Sequence, residues 1–316
     1  MNEGRPQLLV DVNAADWMTD AEAAAILRPL LPEVEVVAWG APHDPARVVA
    51  LATSTLREGL PARLPALRLI QRLGAGVETL LAAQGLPEGV RIARLRPDVQ
   101  AAEIAEYVLG AVIAARRFAV YRPRQAARVW ETTAVVPAGD ARALVLGLGV
   151  IGGPVAAALA GLGLRVDGWR RGEGPAPQGV TAHWGAEALD RLLGEADHVA
   201  CVLPSTPATR GLFDAARLAR MKPGAQLINV GRGDLIDEPA LIAALDAGRP
   251  GSAVLDVTAE EPMPPENPLW AHPRATITPH VSGWNLGDGY ADVAENVRRA
   301  LSGAPLLHEV DRARGY

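Results

Sequence analysis

A glycine-rich loop, Gly147-Leu148-Gly149-Val150-Ile151-Gly152, is the strongest indication of the fold in this 316-residue chain. An apolar run at residues 143–146 precedes it, and a run of small residues typical of a packed helix follows. In such a unit the first glycine permits a tight turn, the second lets the backbone approach a pyrophosphate, and the third allows close helix–strand packing. The pattern predicts a dinucleotide-binding loop, although a glycine-rich turn in an unrelated α/β protein would share it.

Strand-like apolar runs continue after the loop, with helices or long connections between them. Strands alternating with helices predict a parallel sheet, and six strands with the first entering the glycine loop predict a doubly wound dinucleotide fold. The other five predicted strands lie at residues 164–169, 198–203, 226–230, 252–256 and 276–277.

The first hundred residues show the same alternation and predict a smaller α/β lobe. Apolar residues at helical spacing predict a long helix over residues 101–118, and a further helix is predicted over 290–301. The predicted elements of the small lobe are strands at residues 8–12, 34–39, 48–51 and 67–73 and a helix at 20–31.

Composition excludes several classes of function. The formal net charge is −5 and no basic run is present to neutralise phosphates, so we expect no nucleic-acid partner. Residues 143–164 carry no charge, but their glycines and a proline favour a buried strand and loop over a membrane span. The single cysteine, Cys201, cannot form an internal disulfide, and residues 1–5 do not resemble a signal peptide. We therefore expect a cytoplasmic protein.

The end of the second strand of the larger lobe selects between two cofactors. An acidic residue there binds the ribose of NAD(H), whereas arginine accommodates the 2′-phosphate of NADP(H). Asp167 lies at about the expected offset of ~20 residues from Gly147, but it falls within the strand. Arg170 and Arg171 occupy the strand end, so NADP(H) is favoured and NAD(H) is the alternative. Two solvated loop arginines would explain the same sequence.

Three polar residues follow later strands and suggest hydride chemistry on a small anion. His280 suits proton transfer because imidazole titrates near neutral pH. Glu261 could support the protonated ring, and Arg232 could bind a carboxylate and polarise a carbonyl. Taken singly, each has a simpler explanation as a turn residue, an acidic loop or a strand cap. No cluster of His, Cys or paired carboxylates has metal-ligand spacing, so we expect no metal.

In the smaller lobe, Leu73-Gly74-Ala75-Gly76 directly follows a predicted strand. Small residues there would expose the N–H groups of Ala75 and Gly76 as an anion-binding nest suited to a carboxylate. A plain strand-to-helix turn is the alternative.

Seven motifs in order carry a resemblance to the D-isomer-specific 2-hydroxyacid dehydrogenase family. The Pro264–Trp270 segment and the closing Val310–Tyr316 segment are most similar to its glyoxylate/hydroxypyruvate reductase A branch. The motifs are the glycine loop, Leu203-Pro204-Ser205-Thr206, Met221-Lys222-Pro223-Gly224, Asn229-Val230-Gly231-Arg232-Gly233, Leu255-Asp256-Val257, Glu261-Pro262 and Thr278-Pro279-His280.

The resemblance implies an α/β architecture of two doubly wound parallel-sheet lobes. A Rossmann-type cofactor lobe, residues 99–285, is inserted into a smaller flavodoxin-like substrate lobe made from residues 1–98 and 286–316. It also implies a homodimer joined through the cofactor lobes, acting on a small 2-oxo or 2-hydroxy acid. Besides Arg170 and Arg171, the implied cofactor contacts are Gly147, Gly149, Val150, Ile151, Gly152, Leu203, Pro204, Val230, Gly231 and Asp256.

The resemblance assigns substrate orientation to Arg232, acid–base chemistry to His280 and support of that histidine to Glu261. Gly231 replaces the alanine common in the family, and Trp284 is not a family constant. The loop at residues 52–55 also lacks the aromatic segment frequent in the reductase branch, so the exact substrate is not implied. A D-lactate-like dehydrogenase and a dinucleotide-sensing, corepressor-like protein are the alternatives.

Overall fold

The structure, a computed structural model, describes residues 4–13, 18–95, 97–283 and 289–312. Two compact units make up the chain. The first combines Met1–Val99 with Leu286–Tyr316, and the second comprises Gln100–Asn285. The second unit therefore interrupts the first along the sequence.

A five-stranded parallel sheet forms the first unit, with strand order β2-β1-β3-β4-β5. Thr19 caps the first helix, since its hydroxyl accepts a hydrogen bond from the Glu22 N–H. The order is that of flavodoxin-like folds. The elements are β1 (Gln7–Asp11), α1 (Asp20–Leu27), β2 (Glu35–Ala38), β3 (Val48–Thr53), β4 (Leu69–Arg72), α2 (Glu78–Leu81), β5 (Arg91–Ala93) and, after the second unit, α9 (Gly289–Ser302).

A seven-stranded parallel sheet forms the second unit, with order β12-β11-β10-β9-β6-β7-β8. The glycine loop follows β6, the strand at which the order reverses, as in Rossmann folds. The elements are α3 (Pro97–Arg117), α4 (Arg122–Ala126), β6 (Arg142–Leu146), α5 (Gly152–Gly161), β7 (Arg165–Arg170), β8 (Val180–Trp184), α6 (Ala186–Glu195), β9 (His198–Cys201), α7 (Ala215–Arg220), β10 (Gln226–Asn229), α8 (Glu238–Asp246), β11 (Ser252–Leu255) and β12 (Ala275–Ile277).

Apolar strands buried on both faces explain why the sheets form. β1, β3, β9 and β10 are buried along their whole length, as expected of parallel strands covered on both sides. Each sheet separates two hydrophobic clusters, one on either face. The α/β class and the two parallel sheets predicted from the sequence are confirmed.

Two strands were not predicted. β8 is an edge strand that is partly exposed along its length, so its apolar signal is weak. β5 has only three residues and begins with Arg91. The segment at residues 143–164 is a strand, a loop and a helix, as predicted. Across the described residues, none of the helices is both long enough and apolar enough to cross a bilayer.

Candidate active site

The glycine loop has the backbone that a dinucleotide-binding loop needs. Gly147 has a φ of +102°, a region that side chains disfavour. A Cβ at Gly152 would overlap the Gly147 carbonyl oxygen, whereas a Cβ at Gly149 would meet nothing within 4 Å. Ile151 occupies the N-cap position of α5 without a side-chain hydrogen bond, and Val150 is 55% exposed. The loop therefore leaves open space at its second glycine, where the motif predicts the pyrophosphate.

The two arginines at the end of β7 differ in their contacts. Arg170 donates a hydrogen bond from Nη1 to the Pro175 carbonyl oxygen at 2.8 Å, and Arg171 is exposed. Asp167 lies deeper in the strand, where it accepts hydrogen bonds from Arg142 at 2.9 Å and pairs with His183 at 2.8 Å. The carboxylate of Asp167 therefore has its partners inside the fold. The strand β7 ends at Arg170, so the two arginines stand at the strand end, as predicted.

The loops after β9 and β10 approach each other closely. A Cβ at Gly231 would lie 2.5 Å from the Leu203 carbonyl oxygen, so an alanine would require the backbone to shift. Leu203 and Val230 are buried and Pro204 is exposed. In this chain, glycine at position 231 is therefore a packing requirement.

Arg232 follows Gly231 at a position that Asn229 shapes. The fully buried Asn229 side chain donates to the Arg232 carbonyl oxygen at 2.8 Å and accepts from the Gly231 N–H at 3.1 Å. Arg232 donates from Nη1 to the Gly231 carbonyl oxygen at 2.6 Å. Asn229 was not predicted as a site residue, although its position at the start of the Asn-Val-Gly-Arg-Gly motif was a signal.

Gly233 brings the arginine loop against the loop that carries Glu261. A Cβ at Gly233 would overlap the Thr258 carbonyl group. Glu261 Oε1 accepts a hydrogen bond from the Thr258 N–H at 3.0 Å, which fixes the carboxylate over its own loop. Glu238, at the start of α8, accepts from the Ala259 N–H at 2.7 Å and ties the loop from the other side.

His280 lies beside Glu261, with 2.8 Å between His280 Nδ1 and Glu261 Oε2. The His280 backbone has a φ of +56° and its N–H donates to the Asp256 carbonyl oxygen at 2.8 Å. The imidazole is 54% exposed and the carboxylate 39%. With Nδ1 engaged by the carboxylate, Nε2 is the ring nitrogen that can exchange a proton with a ligand.

Asp256 anchors the loop that carries His280. Its buried carboxylate accepts hydrogen bonds from the Thr278 hydroxyl at 2.6 Å, the Val281 N–H at 2.8 Å and the Ser282 N–H at 2.9 Å. The Tyr107 hydroxyl, on α3, lies 2.6 Å from that of Thr278 and extends this network. These contacts hold the strained backbone of the histidine in one place.

Charge favours the ionised form of Glu261. Burial acts to raise the pKa of Glu261, but the hydrogen bond and charge of His280, the Thr258 N–H and the charge of Arg232 outweigh it, so the pKa is lowered. The imidazole and the carboxylate are therefore in contact, and the Arg232 charge acts on the carboxylate. The three residues follow the neighbouring strands β10, β11 and β12.

The other predicted residues fall in separate places. Ala75 and Gly76 lie in the first unit, in the loop between β4 and α2. Trp284 and residues 313–316 lie outside the described residues. Cys201 is buried in β9, where burial raises its pKa to about 12, so the thiol is inert at neutral pH. Over the part of the chain that the structure describes, no three His, Cys, Asp or Glu side chains are grouped to hold a metal ion.

Comparison with known proteins places this site in a family context. Residues 109–282 match the model of the D-isomer specific 2-hydroxyacid dehydrogenase, NAD binding domain. A D-isomer specific 2-hydroxyacid dehydrogenase from Xanthobacter autotrophicus Py2, in complex with NADPH and MES, is 36% identical with a TM-score of 0.88, and the match covers 99% of this chain and 100% of that one.

Two further solved structures are similar over nearly their whole length. A D-isomer specific 2-hydroxyacid dehydrogenase family protein from Klebsiella pneumoniae 342 is 33% identical with a TM-score of 0.86, and the match covers 99% of each chain. The NADPH-dependent glyoxylate/hydroxypyruvate reductase of Sinorhizobium meliloti, in complex with NADP and sulfate, is 29% identical with a TM-score of 0.88, covering 98% of this chain and 100% of that one.

Proposed function

The chain belongs to the D-isomer specific 2-hydroxyacid dehydrogenase family, and we propose that it reduces a small 2-oxo acid of the glyoxylate or hydroxypyruvate class to the D-2-hydroxy acid. Membership makes it an NAD(P)-dependent oxidoreductase. The observation that carries the proposed chemistry is the His280–Glu261 pair, 2.8 Å apart, in which the charge of Arg232 helps to lower the pKa of Glu261.

The glycine loop fits a dinucleotide. Gly149 leaves room for a pyrophosphate, and Gly152 begins a ten-residue helix whose N–H groups and positive dipole end favour phosphate. Leu203 and Pro204 would line the adenosine side, and Asp256 the nicotinamide side. When bound, NAD(P)H supplies the hydride that forms the new C–H bond at the carbonyl carbon.

His280 supplies the proton that the reduction needs. In the proposed reaction the imidazolium gives the proton on Nε2 to the carbonyl oxygen, so that the C=O bond becomes a C–OH group. Glu261 stabilises the imidazolium through Nδ1 and holds the ring orientation. Its lowered pKa keeps the carboxylate ionised at neutral pH.

Arg232 and the Ala75–Gly76 loop are the proposed anion-binding groups. The guanidinium can donate two parallel hydrogen bonds to the substrate's carboxylate and carbonyl oxygens, which fixes the keto group and polarises it. The N–H groups of Ala75 and Gly76 are proposed to bind a carboxylate as well. A small 2-oxo acid presents both groups on adjacent carbons.

NADP(H) is the proposed preferred cofactor. Arg170 and Arg171 stand at the strand end where the 2′-phosphate is bound in this fold, and Asp167 is engaged by Arg142 and His183. NADPH in the Xanthobacter relative and NADP in the Sinorhizobium reductase support this preference.

A homodimer joined through the second unit is proposed as the working form. The segment after α3 exposes large apolar side chains, with Phe118 63%, Trp130 102% and Val136 57% exposed. Apolar side chains so exposed are typical of a surface that a partner covers. We also propose that the enzyme acts in the cytoplasm, since its only cysteine is a buried free thiol.

The test is a matched panel of 2-oxo acids with NADPH and NADH, followed as loss of nicotinamide absorbance. We expect the highest kcat/KM with glyoxylate or hydroxypyruvate and NADPH. His280→Ala is expected to lower kcat by at least ~100-fold with the NADPH affinity preserved. The proposed reaction would be refuted if the wild-type protein bound NADPH but did not oxidise it in the presence of any of the 2-oxo acids in the panel.

A further inference from the structure

Every carbonyl group in the loop Gly74-Ala75-Gly76 of the first unit is held by a hydrogen-bond donor. The Leu95 N–H donates to the Gly74 carbonyl oxygen at 3.1 Å. Arg94 Nη1 donates to that of Ala75 at 3.2 Å, and Arg72 Nε to that of Gly76 at 2.9 Å. Two of these three donors are charged side chains, which make the stronger kind of hydrogen bond.

These three hydrogen bonds also fix the direction in which three N–H groups of the loop point. In a trans peptide the N–H of one residue points opposite to the carbonyl of the residue before it. The N–H groups of Ala75, Gly76 and Val77 therefore point away from Leu95, Arg94 and Arg72 respectively. Among the described residues, none of these three N–H groups donates a hydrogen bond.

The loop is not a nest of the αR-αL kind. That kind needs a left-handed residue, and neither glycine of this loop has a positive φ. The N–H groups are oriented by the two arginines instead. Arg72 is the last residue of β4 and Arg94 follows β5, so both side chains start from the carboxyl edge of the sheet, where ligands bind in α/β folds.

Charge adds to the orientation. The two guanidinium groups lie behind the loop and supply positive potential to the N–H side. The Arg72 guanidinium also packs beside Gly74, where an added Cβ would lie 3.2 Å from its central carbon. Burial lowers the pKa of Arg94, and the Glu78 carboxylate counteracts this shift. The positive charge of the two guanidinium groups favours an anion on the N–H side of the loop.

We propose that Arg72 and Arg94 are positioning residues for the substrate carboxylate. Arg94 orients the N–H group of Gly76, and Arg72 orients that of Val77, so that both N–H groups can bind the carboxylate. This inference rests on the proposed function and extends its anion site from Ala75 and Gly76 to Val77. Arg72 and Arg94 do not touch the substrate themselves. Their loss weakens carboxylate binding and leaves the proton-transfer residues in place.

The experiment compares Arg72→Met and Arg94→Met with Arg68→Met as the matched control. Arg68 lies just before β4, at the end opposite to Arg72. Its side chain donates a long hydrogen bond, 3.4 Å, to the Leu301 carbonyl oxygen. We expect KM for the 2-oxo acid to rise about tenfold in each of the first two variants, the usual effect of losing a charged hydrogen bond. The kcat value and the Kd of NADPH should change less than ~3-fold.

Arg72→Lys separates positioning from packing. An ammonium group can still donate one hydrogen bond to the Gly76 carbonyl oxygen, so we expect it to recover most of the lost affinity. An unchanged KM in both methionine variants would overturn the inference. So would a loss of melting temperature accompanied by equal falls in kcat and in NADPH binding, because that pattern indicates a structural role.

Calorimetric titration with oxamate, an unreactive analogue of glyoxylate, tests carboxylate binding without turnover. The wild type loaded with NADPH, the cofactor beside which a 2-oxo acid is reduced, should bind oxamate, and Arg72→Met and Arg94→Met should weaken oxamate binding about tenfold. If the wild type reduced no 2-oxo acid but showed this pattern, the proposed reaction would fail and the inference would stand. If the wild type bound no oxamate, or the variants bound it equally well, the inference would fail.

Discussion

Gly233 and Thr258 approach so closely that a single added methyl group on the glycine would overlap the threonine carbonyl. Thr258 also donates its backbone N–H to Glu261, and Gly233 directly follows Arg232. The contact therefore joins the segment that presents the guanidinium to the segment that presents the carboxylate. Packing between two backbones, rather than a side-chain bond, sets the spacing of these two charged groups.

Gly233→Ala should abolish most activity for this reason. The two loops must separate to admit the methyl group, and displacement of a reacting group by about 1 Å costs on the order of 100-fold in rate. Steady-state kcat/KM is the measurement. Gly110→Ala is the control, because a Cβ there meets nothing within 4 Å inside α3. That variant should keep full activity and gain about 0.5–1 kcal/mol in the free energy of unfolding. Wild-type kcat/KM in Gly233→Ala would contradict the role of the contact.

Asp256→Asn should weaken both the fold and the reaction. The carboxylate accepts two backbone N–H groups and a hydroxyl, and an amide would turn its NH₂ group toward at least one donor. An unsatisfied buried donor costs about 1–3 kcal/mol, so chemical denaturation should show a loss of that size. The kcat value should fall as well, because the His280 loop loses its anchor. Asp246→Asn, at an exposed aspartate, is the control and should alter neither quantity.

The sequence predicted the fold where strands are long and buried. β9 and β10 are buried along their whole length and have apolar centres, and their predicted positions agree with the structure to within two residues. The edge strand β8 was missed because an exposed edge has no reason to be apolar. Element ends also shifted, as with α3, which begins at Pro97 rather than residue 101. Helix ends depend on local capping more than on periodicity.

The site was predictable where chemistry requires a particular side chain. The pairing of His280 with Glu261 was predicted and is present as a 2.8 Å contact. Tyr107 was missed because it acts through Thr278, which lies 171 positions away in sequence. Glu238 was missed because its partner is a backbone N–H, which leaves no side-chain pattern. Roles in catalysis and cofactor binding stay predictions for the variants to test.

Replacing Arg170 and Arg171 with alanine should weaken NADPH binding by at least ~10-fold and leave NADH binding nearly unchanged. The reason is that only NADPH carries the 2′-phosphate. Fluorescence titration of each cofactor is the measurement. Arg165→Ala is the matched control, since Arg165 is exposed at the other end of the same strand. The loss of NADPH affinity in each single variant should show which of Arg170 and Arg171 contributes more to binding the 2′-phosphate. An equal loss of affinity for NADPH and NADH would refute the assignment.

Trp130→Ser should shift the protein from dimer to monomer if the segment after α3 is covered by a second copy. The side chain is 102% exposed in the single chain, and burying a tryptophan contributes several kcal/mol to an interface. Light scattering after size-exclusion chromatography measures the mass at micromolar concentration. Trp184→Ser, at a tryptophan 47% exposed on β8, is the control. A wild-type protein with the mass of one chain would refute the dimer.

Glu261→Gln should reveal the charge of Glu261 in the pH dependence of stability. The folded-state pKa of Glu261 is lowered below its ordinary value of 4.5, so the ionised carboxylate favours the folded state. That contribution is complete above pH 4.5 and is lost as the pH falls through the lower folded-state pKa. The wild type should therefore be more stable than Glu261→Gln to urea at neutral pH, and the difference should shrink toward pH 3.

The same substitution tests catalysis. Without the carboxylate the imidazole loses its negative partner and the contact that orients the ring, so kcat for reduction should fall by about 10–100-fold. Glu260→Gln, one residue earlier on the same exposed loop, is the control and should follow the wild type in both stability and kcat. If Glu261→Gln lowered stability but left kcat unchanged, the carboxylate would be a structural group.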